Sequence, residues 1–480
     1  MLSPGAMISP LQQDLEDLAT LLERAKVESL THLNALDQLP TKSTYSPKLS
    51  GNQLPNQGVG TLRAVDEFNE RLRQVIVASA GPRYWGYVIG GTTPASIVGD
   101  WLATAFDQCT FATAGQGDIS ANIEIETIQL LRQLFNLPDT YQGGFVSGAT
   151  MSNFTCLAVA RQWAGQQLGV DISNDGMVPG ITVLSAEPHA SAVKSLAMLG
   201  IGRNNVVRIN HVEGNREAMD ISDLEAKLQA LNGQPVILIS SGGTVNTVDF
   251  DDMISIGKLK EIYTFWWHVD GAFGGFAACS PTYRHLLAGW ENADSITIDC
   301  HKWLNVPYDS AIFFTHTRHR QLHIETLQPL NSPYLGDLLS HVNYQTLVPE
   351  SSRRLRALPA WFSLIAYGKE GYQTIIETNI RLAKSFGTML AGSDHFELLA
   401  PVRLNTVCFS LKESEAEPER VKTFLSTLND TGLVFMTITV YKGRTGIRAA
   451  FSNWRTTDTD VRMVFDKMQE ISYPSLKPAS

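Results

Sequence analysis

The sequence is poor in cysteine, and this excludes several kinds of site. Its 480 residues include five cysteines, which are scattered along the chain and form no CxxC pair. A disulfide framework or a zinc site is therefore not expected, and we predict no metal site. A reducing, cytoplasmic setting fits this cysteine usage best. Cys300, close to Lys302, has two interpretations, a reactive thiol or a buried structural cysteine, and the second is favoured.

Long apolar runs and an excess of basic residues are also missing. No apolar run reaches the roughly 18 residues of a membrane helix. The N-terminus lacks a basic region followed by an apolar one, so we expect no secretory signal. The formal net charge of −10 argues against nucleic acid and anionic membranes as partners. With 44% hydrophobic and 18% charged residues, the chain has the composition of a globular protein with at least two packed units.

The first 80 residues differ from the rest of the chain. Four leucines recur there at helical spacing: Leu11, Leu15, Leu18 and Leu22. This apolar stripe must be buried somewhere, either against its own domain or against a second subunit. Residues 41–62 are rich in Pro, Gly, Ser and Asn, which predicts a connector. We therefore assign residues 1–80 to a helical arm and connector that clasps a dimer.

Strand-like and helix-like segments alternate from about residue 143 to residue 316. Continuous apolar strands between helices predict an α/β fold with a mostly parallel sheet covered on both faces. Asp220 is predicted to cap one of these helices. After a long helix near 354–390, short strands and helices predict a smaller α+β unit. We place the large domain at 81–370 and the small C-terminal domain at 371–480.

Two charged residues stand at the ends of predicted strands. Asp270 ends the segment FWWHVD, and Lys302 follows SITIDCH. Taken alone, Asp270 could be a helix cap or a turn residue, and Lys302 could extend to solvent. Ligands, however, bind beyond the carboxyl ends of parallel strands. A desolvated lysine there is a nucleophile toward an aldehyde, and a carboxylate can hold a pyridinium nitrogen protonated, which is the pair that pyridoxal phosphate requires.

Two further stretches could complete such a site. VSGATMSN lies between a strand and a helix, and the N–H groups of the helix start, with the Thr150 hydroxyl, can bind a phosphate. Gly148 there allows a close approach of the backbone. His189, in SAEPHASAVKSL, follows a strand and begins a helix. It either caps that helix or, with a cofactor nearby, stacks on the pyridine ring.

The four stretches SITIDCHKWLNVPYD, HVDGAFGG, EPHASAVKSL and VSGATMSN have the order and spacing seen in the pyridoxal-phosphate-dependent group II amino-acid decarboxylases. The chain resembles this family from about Pro82 to Arg455. The family includes aromatic-amino-acid, histidine, glutamate and diaminobutyrate decarboxylases. The resemblance implies the fold-type I pyridoxal-phosphate-dependent transferase fold and a homodimer with its sites at the subunit interface.

The resemblance also implies the roles of the cofactor-binding residues. Lys302 forms the imine with the cofactor, Asp270 pairs with the pyridinium nitrogen, and His189 stacks on the ring. The other implied cofactor contacts are Ala149, Thr150, Thr244, Ala272 and His301.

Two more residues are implied on the substrate side. Arg448, in TGIRAAFSN, matches an arginine near the cofactor or the substrate carboxylate. Tyr344, counted back from Arg353 and Arg354, matches a loop tyrosine that closes over the site. In the family this phenol returns a proton to Cα after carbon dioxide leaves. The loop around Tyr344, residues 330–350, is predicted to be partly mobile because of its Pro, Gly, Asn and Ser content.

The implied reaction is decarboxylation of an L-amino acid to its amine. The same cofactor residues would serve a transaminase or a Cα–Cβ lyase, and a non-catalytic binding protein with this fold is an alternative of another class. Relatives acting on aromatic amino acids carry Phe-Pro-Thr where this chain has Val88-Ile89-Gly90, so a hydroxyl facing the substrate is missing. This difference puts an aromatic substrate in doubt. Asp299 also replaces an Asn of many relatives.

Overall fold

The computed structural model describes residues 9–45, 53–114, 117–328, 341–412 and 417–472. Its central sheet has the strand order β1-β7-β6-β5-β4-β2-β3. The strands are β1 (Tyr141–Val146), β2 (Thr182–Ser185), β3 (Val206–Arg208), β4 (Val236–Ser241), β5 (Trp266–Asp270), β6 (Ser295–Ile298) and β7 (Ala311–His316). β7 pairs antiparallel with β1 and β6, whereas the other pairs are parallel. The predicted mostly parallel α/β sheet is confirmed.

The helices follow the alternation that the sequence predicts. They are α1 (Pro10–Glu16), α2 (Leu18–Ala35), α3 (Thr61–Arg71), α4 (Pro94–Phe106), α5 (Ser120–Leu134), α6 (Ala149–Gln167), α7 (Ile172–Asp175), α8 (Ala190–Met198), α9 (Ile221–Leu231), α10 (Met253–Ile262), α11 (Cys300–Trp303), α12 (Arg320–Leu327), α13 (Ala357–Ala391), α14 (Pro418–Asp430) and α15 (Asp458–Ser472). Asp220 caps α9 as predicted, because its carboxylate accepts hydrogen bonds from the N–H groups of Ser222 and Asp223. Among the described residues, no helix has the length and apolar character needed to cross a membrane.

The sheet brings together chain segments that are far apart in sequence. β5 and β6 are parallel neighbours, with Asp270 opposite Thr297. α11 begins directly after β6 and carries Lys302, while α6 begins directly after β1. Because the carboxyl ends of β1, β5 and β6 lie at one edge of the sheet, Asp270, Lys302 and the start of α6 meet there.

A second core belongs to the C-terminal part of the chain. Its sheet has the order β10-β11-β9-β8, and every pair is antiparallel. The strands are β8 (Phe396–Leu398), β9 (Thr406–Leu411), β10 (Thr437–Tyr441) and β11 (Arg444–Ala450). Helix α13 joins the two parts, and Gly368 interrupts it with φ 58°. This break lies beside the boundary predicted at residue 370, and the three domain ranges themselves stay a prediction.

Trp85 packs in the core of the C-terminal part, although its position in sequence puts it in the large domain. Its indole lies against Phe386 and Phe451, with ring centroids 5.5 and 4.5 Å away. Its carbonyl accepts a hydrogen bond from the Ala450 N–H. The segment around Trp85 therefore connects the small sheet to the edge of the large domain.

The N-terminal arm leaves its apolar stripe uncovered on the single chain. Leu11, Leu15, Leu18 and Leu22 are 81%, 70%, 47% and 61% exposed. Among the described residues, the stripe is therefore not buried against its own domain, which was one of the two expected arrangements. The other side of α2 is held by polar contacts, such as that of Arg24 with Asp66.

Candidate active site

A cavity of about 460 Å³ lies beside the carboxyl ends of the central strands. It brings together most of the residues predicted for the site: His189, Thr244, Asp270, Ala272, Lys302 and Arg448. Its remaining wall is largely apolar and includes Tyr87, Val88 and Phe273. Residues from both cores therefore surround one space.

Asp270 is buried at the end of β5 and has a hydrogen bond to each carboxylate oxygen. Oδ1 accepts from the Ala272 N–H at 3.2 Å, and Oδ2 accepts from Asn153 Nδ2 at 3.1 Å. Behind Asn153 lies His268, whose Nε2 is 2.8 Å from Asn153 Oδ1. The other ring nitrogen of His268 is 2.9 Å from the Ser295 hydroxyl.

The groups at the two ends of this chain of hydrogen bonds decide which atom donates in each bond. The Trp266 indole N–H can only donate, and it donates to Ser295 Oγ. The Ser295 hydroxyl therefore donates to His268 Nδ1, and His268 Nε2–H donates to the Asn153 carbonyl. Burial lowers the pKa of His268 to about 4, so the ring is neutral at pH 7. Each donor points toward Asp270, and this chain of hydrogen bonds orients its carboxylate.

Of the two roles that the sequence suggested for His189, the structure shows the helix cap, and stacking on a cofactor ring stays a prediction. It is the N-cap of α8, where Nδ1 accepts from the Ser191 N–H. It also lines the cavity with Lys302. Burial lowers the pKa of His189 below its ordinary value, so the imidazole is neutral at pH 7.

Lys302 lies on α11, and the neighbouring backbone approaches it closely. Its Nζ is 3.6 Å from Asp299 Oδ2 and 5.6 Å from the centre of the Phe273 ring. A Cβ atom at Gly90 would lie 1.5 Å from the Lys302 carbonyl oxygen, so only glycine fits there. The threonine of aromatic-specific relatives at this position is therefore excluded by packing against the lysine backbone.

Arg448, on β11 of the small sheet, faces the cavity with a spare donor. Its Nη1 donates to the Val245 carbonyl at 3.0 Å, and no described residue accepts from its buried Nε. Burial lowers the pKa of the guanidinium below its ordinary value. Thr244 also lines the cavity, but its hydroxyl already donates to Glu217 at 2.5 Å.

The predicted phosphate contacts adjoin the cavity without lining it. Ala149 is the first residue of α6, and its N–H donates to Asp299 Oδ2 at 3.3 Å. Thr150 follows it on α6. His301 lies across from this helix start, where a Cβ at Gly148 would be 3.4 Å from its ring. Asp299 thus connects the helix start to Lys302.

The placement predicted for Tyr344 is wrong. It lies in a short turn, Tyr344–Thr346, is 1% exposed on the single chain and does not line the cavity. Its ring packs on the guanidinium of Arg353, 4.6 Å away, which is paired with Glu124. The ring of Tyr344 thereby covers a buried ion pair. The loop residues 329–340 lie outside the described residues.

Sequence reasoning missed two residues that support the site. His268 stands two positions before Asp270, so both point to one face of β5. Asn153 lies on α6, one turn after Ala149. Both residues lie in motifs that the sequence analysis had singled out. The periodicity of the strand and of the helix could have placed them on the same face as Asp270 and Ala149. Cys300 is buried and its pKa is raised by burial, which agrees with a structural cysteine.

The residues around the cavity fit pyridoxal phosphate. A lysine, a carboxylate held by a polarised relay, and a helix start meet the needs of its aldehyde, its ring nitrogen and its phosphate. Residues 45–412 match the family model described as the pyridoxal-dependent decarboxylase conserved domain. The chain belongs to this family.

Relatives along the whole chain agree with this assignment. An aromatic-L-amino-acid decarboxylase of Bacillus atrophaeus is 28% identical over 98% of this chain and 99% of that protein. One from Catharanthus roseus is 26% identical over 92% of this chain and 91% of that protein. The structure of Oryza sativa TDC with PLP and tryptamine has a TM-score of 0.86 and 23% identity, and covers 98% of this chain and 99% of that one. The fold-type I architecture is therefore confirmed.

The chain is thus a carboxy-lyase that uses pyridoxal phosphate to decarboxylate an amino acid. Neither a transaminase nor a Cα–Cβ lyase is favoured by these relatives, and nor is a non-catalytic protein with the same fold.

Replacing His268 by Asn should change how stability depends on pH. Between the ordinary pKa of 6.5 and the folded pKa of about 4, the unfolded chain binds a proton that the folded chain does not. From this group, the free energy of unfolding falls by about 1.4 kcal/mol per pH unit as the pH drops below 6.5. Urea unfolding between pH 5 and 6.5 should show a slope reduced by this amount in His268→Asn.

His323 provides a matched control for this experiment. It is also buried with a pKa lowered to about 4, but it contacts Thr315 and the Leu347 carbonyl instead of the Asp270 relay. His323→Asn should lose the same slope and retain cofactor affinity, whereas His268→Asn should weaken cofactor binding as well. Equal cofactor affinity in the two variants would contradict the relay.

Tyr344→Phe should keep both the fold and the product. The ring that covers Arg353 remains, so we expect unchanged urea unfolding and an unchanged amine yield. Tyr344→Ala should lower the free energy of unfolding by about 3–5 kcal/mol because it empties a buried ring site. Aldehyde formation by Tyr344→Phe, measured with the amine under air, would restore a catalytic role. A parallel Tyr334→Phe variant examines the other tyrosine of the segment 330–350.

Proposed function

We propose that an L-amino acid is decarboxylated in the 460 Å³ cavity, with Lys302 holding the cofactor and Asp270 holding its ring-nitrogen proton. The observation that carries this proposal is the hydrogen-bonded relay that ends on Asp270, in the same cavity as Lys302. Bound pyridoxal phosphate supplies an electron sink for the bond to the departing carboxylate. The neutral imidazole of His189 faces the ring, and Ala149, Thr150 and His301 contact the phosphate.

Arg448 is the proposed partner of the substrate α-carboxylate. Its Nε has no hydrogen-bond acceptor among the described residues, and a guanidinium binds a carboxylate through paired N–H groups. At Gly90 this chain lacks the substrate-facing hydroxyl of aromatic-specific relatives. The interaction places the leaving carboxylate, and we assign Arg448 to binding and orientation.

The cavity wall favours a substrate with a large apolar side chain, aromatic residues included. Tyr87, Val88 and Phe273 supply apolar surface. Lys302 and Arg448 are the cationic side chains among its lining residues, and both are already assigned. An acidic side chain would therefore lack a partner. The relatives named aromatic-L-amino-acid decarboxylases support this class, although Val88-Ile89-Gly90 changes the contacts.

A basic side chain is the second candidate, because Glu187 also lines the cavity. Its carboxylate lies 3.3 Å from His211 Nε2 and is about one third exposed, so it remains available to an ammonium group. Diaminobutyrate is the appropriate test compound for this alternative.

Carbon dioxide release from a panel of amino acids tests the proposed function. We expect release from aromatic or other large apolar amino acids and none from glutamate or cysteine sulfinate. Lys302→Ala should lose the visible absorbance of the bound cofactor and reduce turnover by several orders of magnitude, because the lysine that holds the cofactor is gone. Turnover by Lys302→Ala at the wild-type rate would contradict the assignment of this lysine.

We further propose a homodimer in which the N-terminal arm contacts the second copy. The exposed leucines of α1 and α2 need a cover, and an apolar groove of about 780 Å³ between α2, α3 and α4 adds Phe68 and Trp101. Uncovered apolar surface of this extent marks an interface. A second copy is the occupant that also agrees with the family resemblance.

Light scattering at micromolar concentration should give twice the chain mass of 52.8 kDa. Leu15→Lys combined with Leu22→Lys should shift the protein toward monomer, because two charges would be buried in the interface. Ile262→Lys is the matched control, since Ile262 is 69% exposed on α10, away from the arm in sequence. A wild-type monomer with full activity would contradict both the clasp and a shared site.

We also propose a reducing, cytoplasmic setting without nucleic acid or membrane partners. The five cysteines are unpaired, and four of them are buried. The net charge of −10 supports the expected absence of polyanionic partners.

A further inference from the structure

Asp299 is a buried carboxylate that directly precedes α11 and contacts the start of α6. It is 3% exposed and lies between β6 and Lys302. Its Oδ2 accepts from the Ala149 N–H at 3.3 Å and is 3.6 Å from Lys302 Nζ. Its Oδ1 lies 3.0 Å from His301 Nε2. The carboxylate thus stands among the groups assigned above to the cofactor phosphate and to the cofactor lysine.

The hydrogen bonding of Asp299 is incomplete. His301 Nε2 lies 3.0 Å from Oδ1, but no described residue donates a hydrogen bond to this oxygen. Asp294, at the other end of β6, is a buried structural carboxylate and provides a comparison. It accepts hydrogen bonds from Lys260, the Trp267 N–H and Arg318. Asp299 therefore has fewer partners than a carboxylate buried for stability.

A phosphate group needs the donors that Asp299 contacts. The Ala149 N–H and the start of α6 attract an anion. If the Asp299 carboxylate and a phosphate both approach this helix start in a buried site, the two anions repel each other. We propose that Asp299 competes with the cofactor phosphate for the start of α6, and that it thereby lowers the affinity of the protein for pyridoxal phosphate. This inference rests on the proposed function, because it takes the phosphate site from there.

The competition has a consequence for the cofactor-free protein. Without cofactor, Asp299 supplies a carboxylate 3.6 Å from Lys302 Nζ and accepts a hydrogen bond from the Ala149 N–H. Entry of the phosphate removes the Ala149 contact from Asp299. Cofactor uptake therefore exchanges one anion for another at the start of α6. The fraction of protein that holds cofactor depends on the cofactor concentration.

Two substitutions at Asp299 test this competition. Asp299→Asn keeps the shape and removes the charge, and Asp299→Ala removes the charge and every polar atom. The dissociation constant for pyridoxal phosphate is measured by titrating the visible absorbance of each cofactor-free protein. We expect both variants to bind at least about tenfold more tightly, which corresponds to roughly 1.4 kcal/mol. Asp309→Asn, an exposed aspartate paired with Arg356, is the charge-matched control and should not change the constant.

Inorganic phosphate gives a readout that needs no imine. Thermal unfolding of the cofactor-free proteins should show a larger phosphate-induced rise in Tm for both Asp299 variants than for the wild type, and no change for Asp309→Asn. Circular dichroism verifies the fold of each variant.

The outcomes separate this inference from the proposed function. Tighter binding by Asp299→Asn alone would assign the gain to its amide donor and overturn the competition. Unchanged or weaker binding by both variants would also overturn it, while leaving the enzyme a pyridoxal-phosphate protein. A wild type and variants that all fail to take up pyridoxal phosphate would contradict the proposed function itself.

Discussion

The parallel pairing of β5 with β6 is the constraint on which the active site depends. The pairing register places Asp270 opposite Thr297, and the chain turns into α11 a few residues later. Asp270 and Lys302 therefore line one cavity, although they lie in separate segments of the sequence. A carboxylate can be buried at this strand end because a chain of donors, from Trp266 through His268, supports it from inside the sheet.

Buried charges in this protein are of two kinds. Glu124 and Arg353 are both fully buried and pair with each other, and Tyr344 covers them. Such pairs are satisfied inside the protein, and breaking one would leave an uncompensated charge. Asp299 and Arg448, in contrast, each keep an atom without a hydrogen-bond partner among the described residues. Both adjoin the cavity, where incomplete pairing leaves room for the groups of a cofactor and a substrate.

The two cores of the chain contribute different parts of the site. The large sheet and its helices provide Asp270, Lys302 and His189, which we propose bind the cofactor. The small sheet provides Arg448, the proposed partner of the substrate carboxylate. The segment from Trp85 to Gly90 connects them, because Trp85 packs in the small core and Gly90 touches the Lys302 backbone. A change in the packing of this segment would therefore alter substrate contacts and the lysine together.

The sequence alone determined the α/β alternation, the helix cap at Asp220 and the positions of Asp270 and Lys302 at strand ends, because each of these depends on local periodicity or on the two ends of one element. Tertiary structure decided the rest. The burial of Tyr344, the transfer of Trp85 to the second core and the contact of Gly90 with Lys302 depend on elements that are distant in sequence. Spacing along the chain carries no direct information about such contacts, since they are set by how the elements pack and by which charges that packing leaves without a partner.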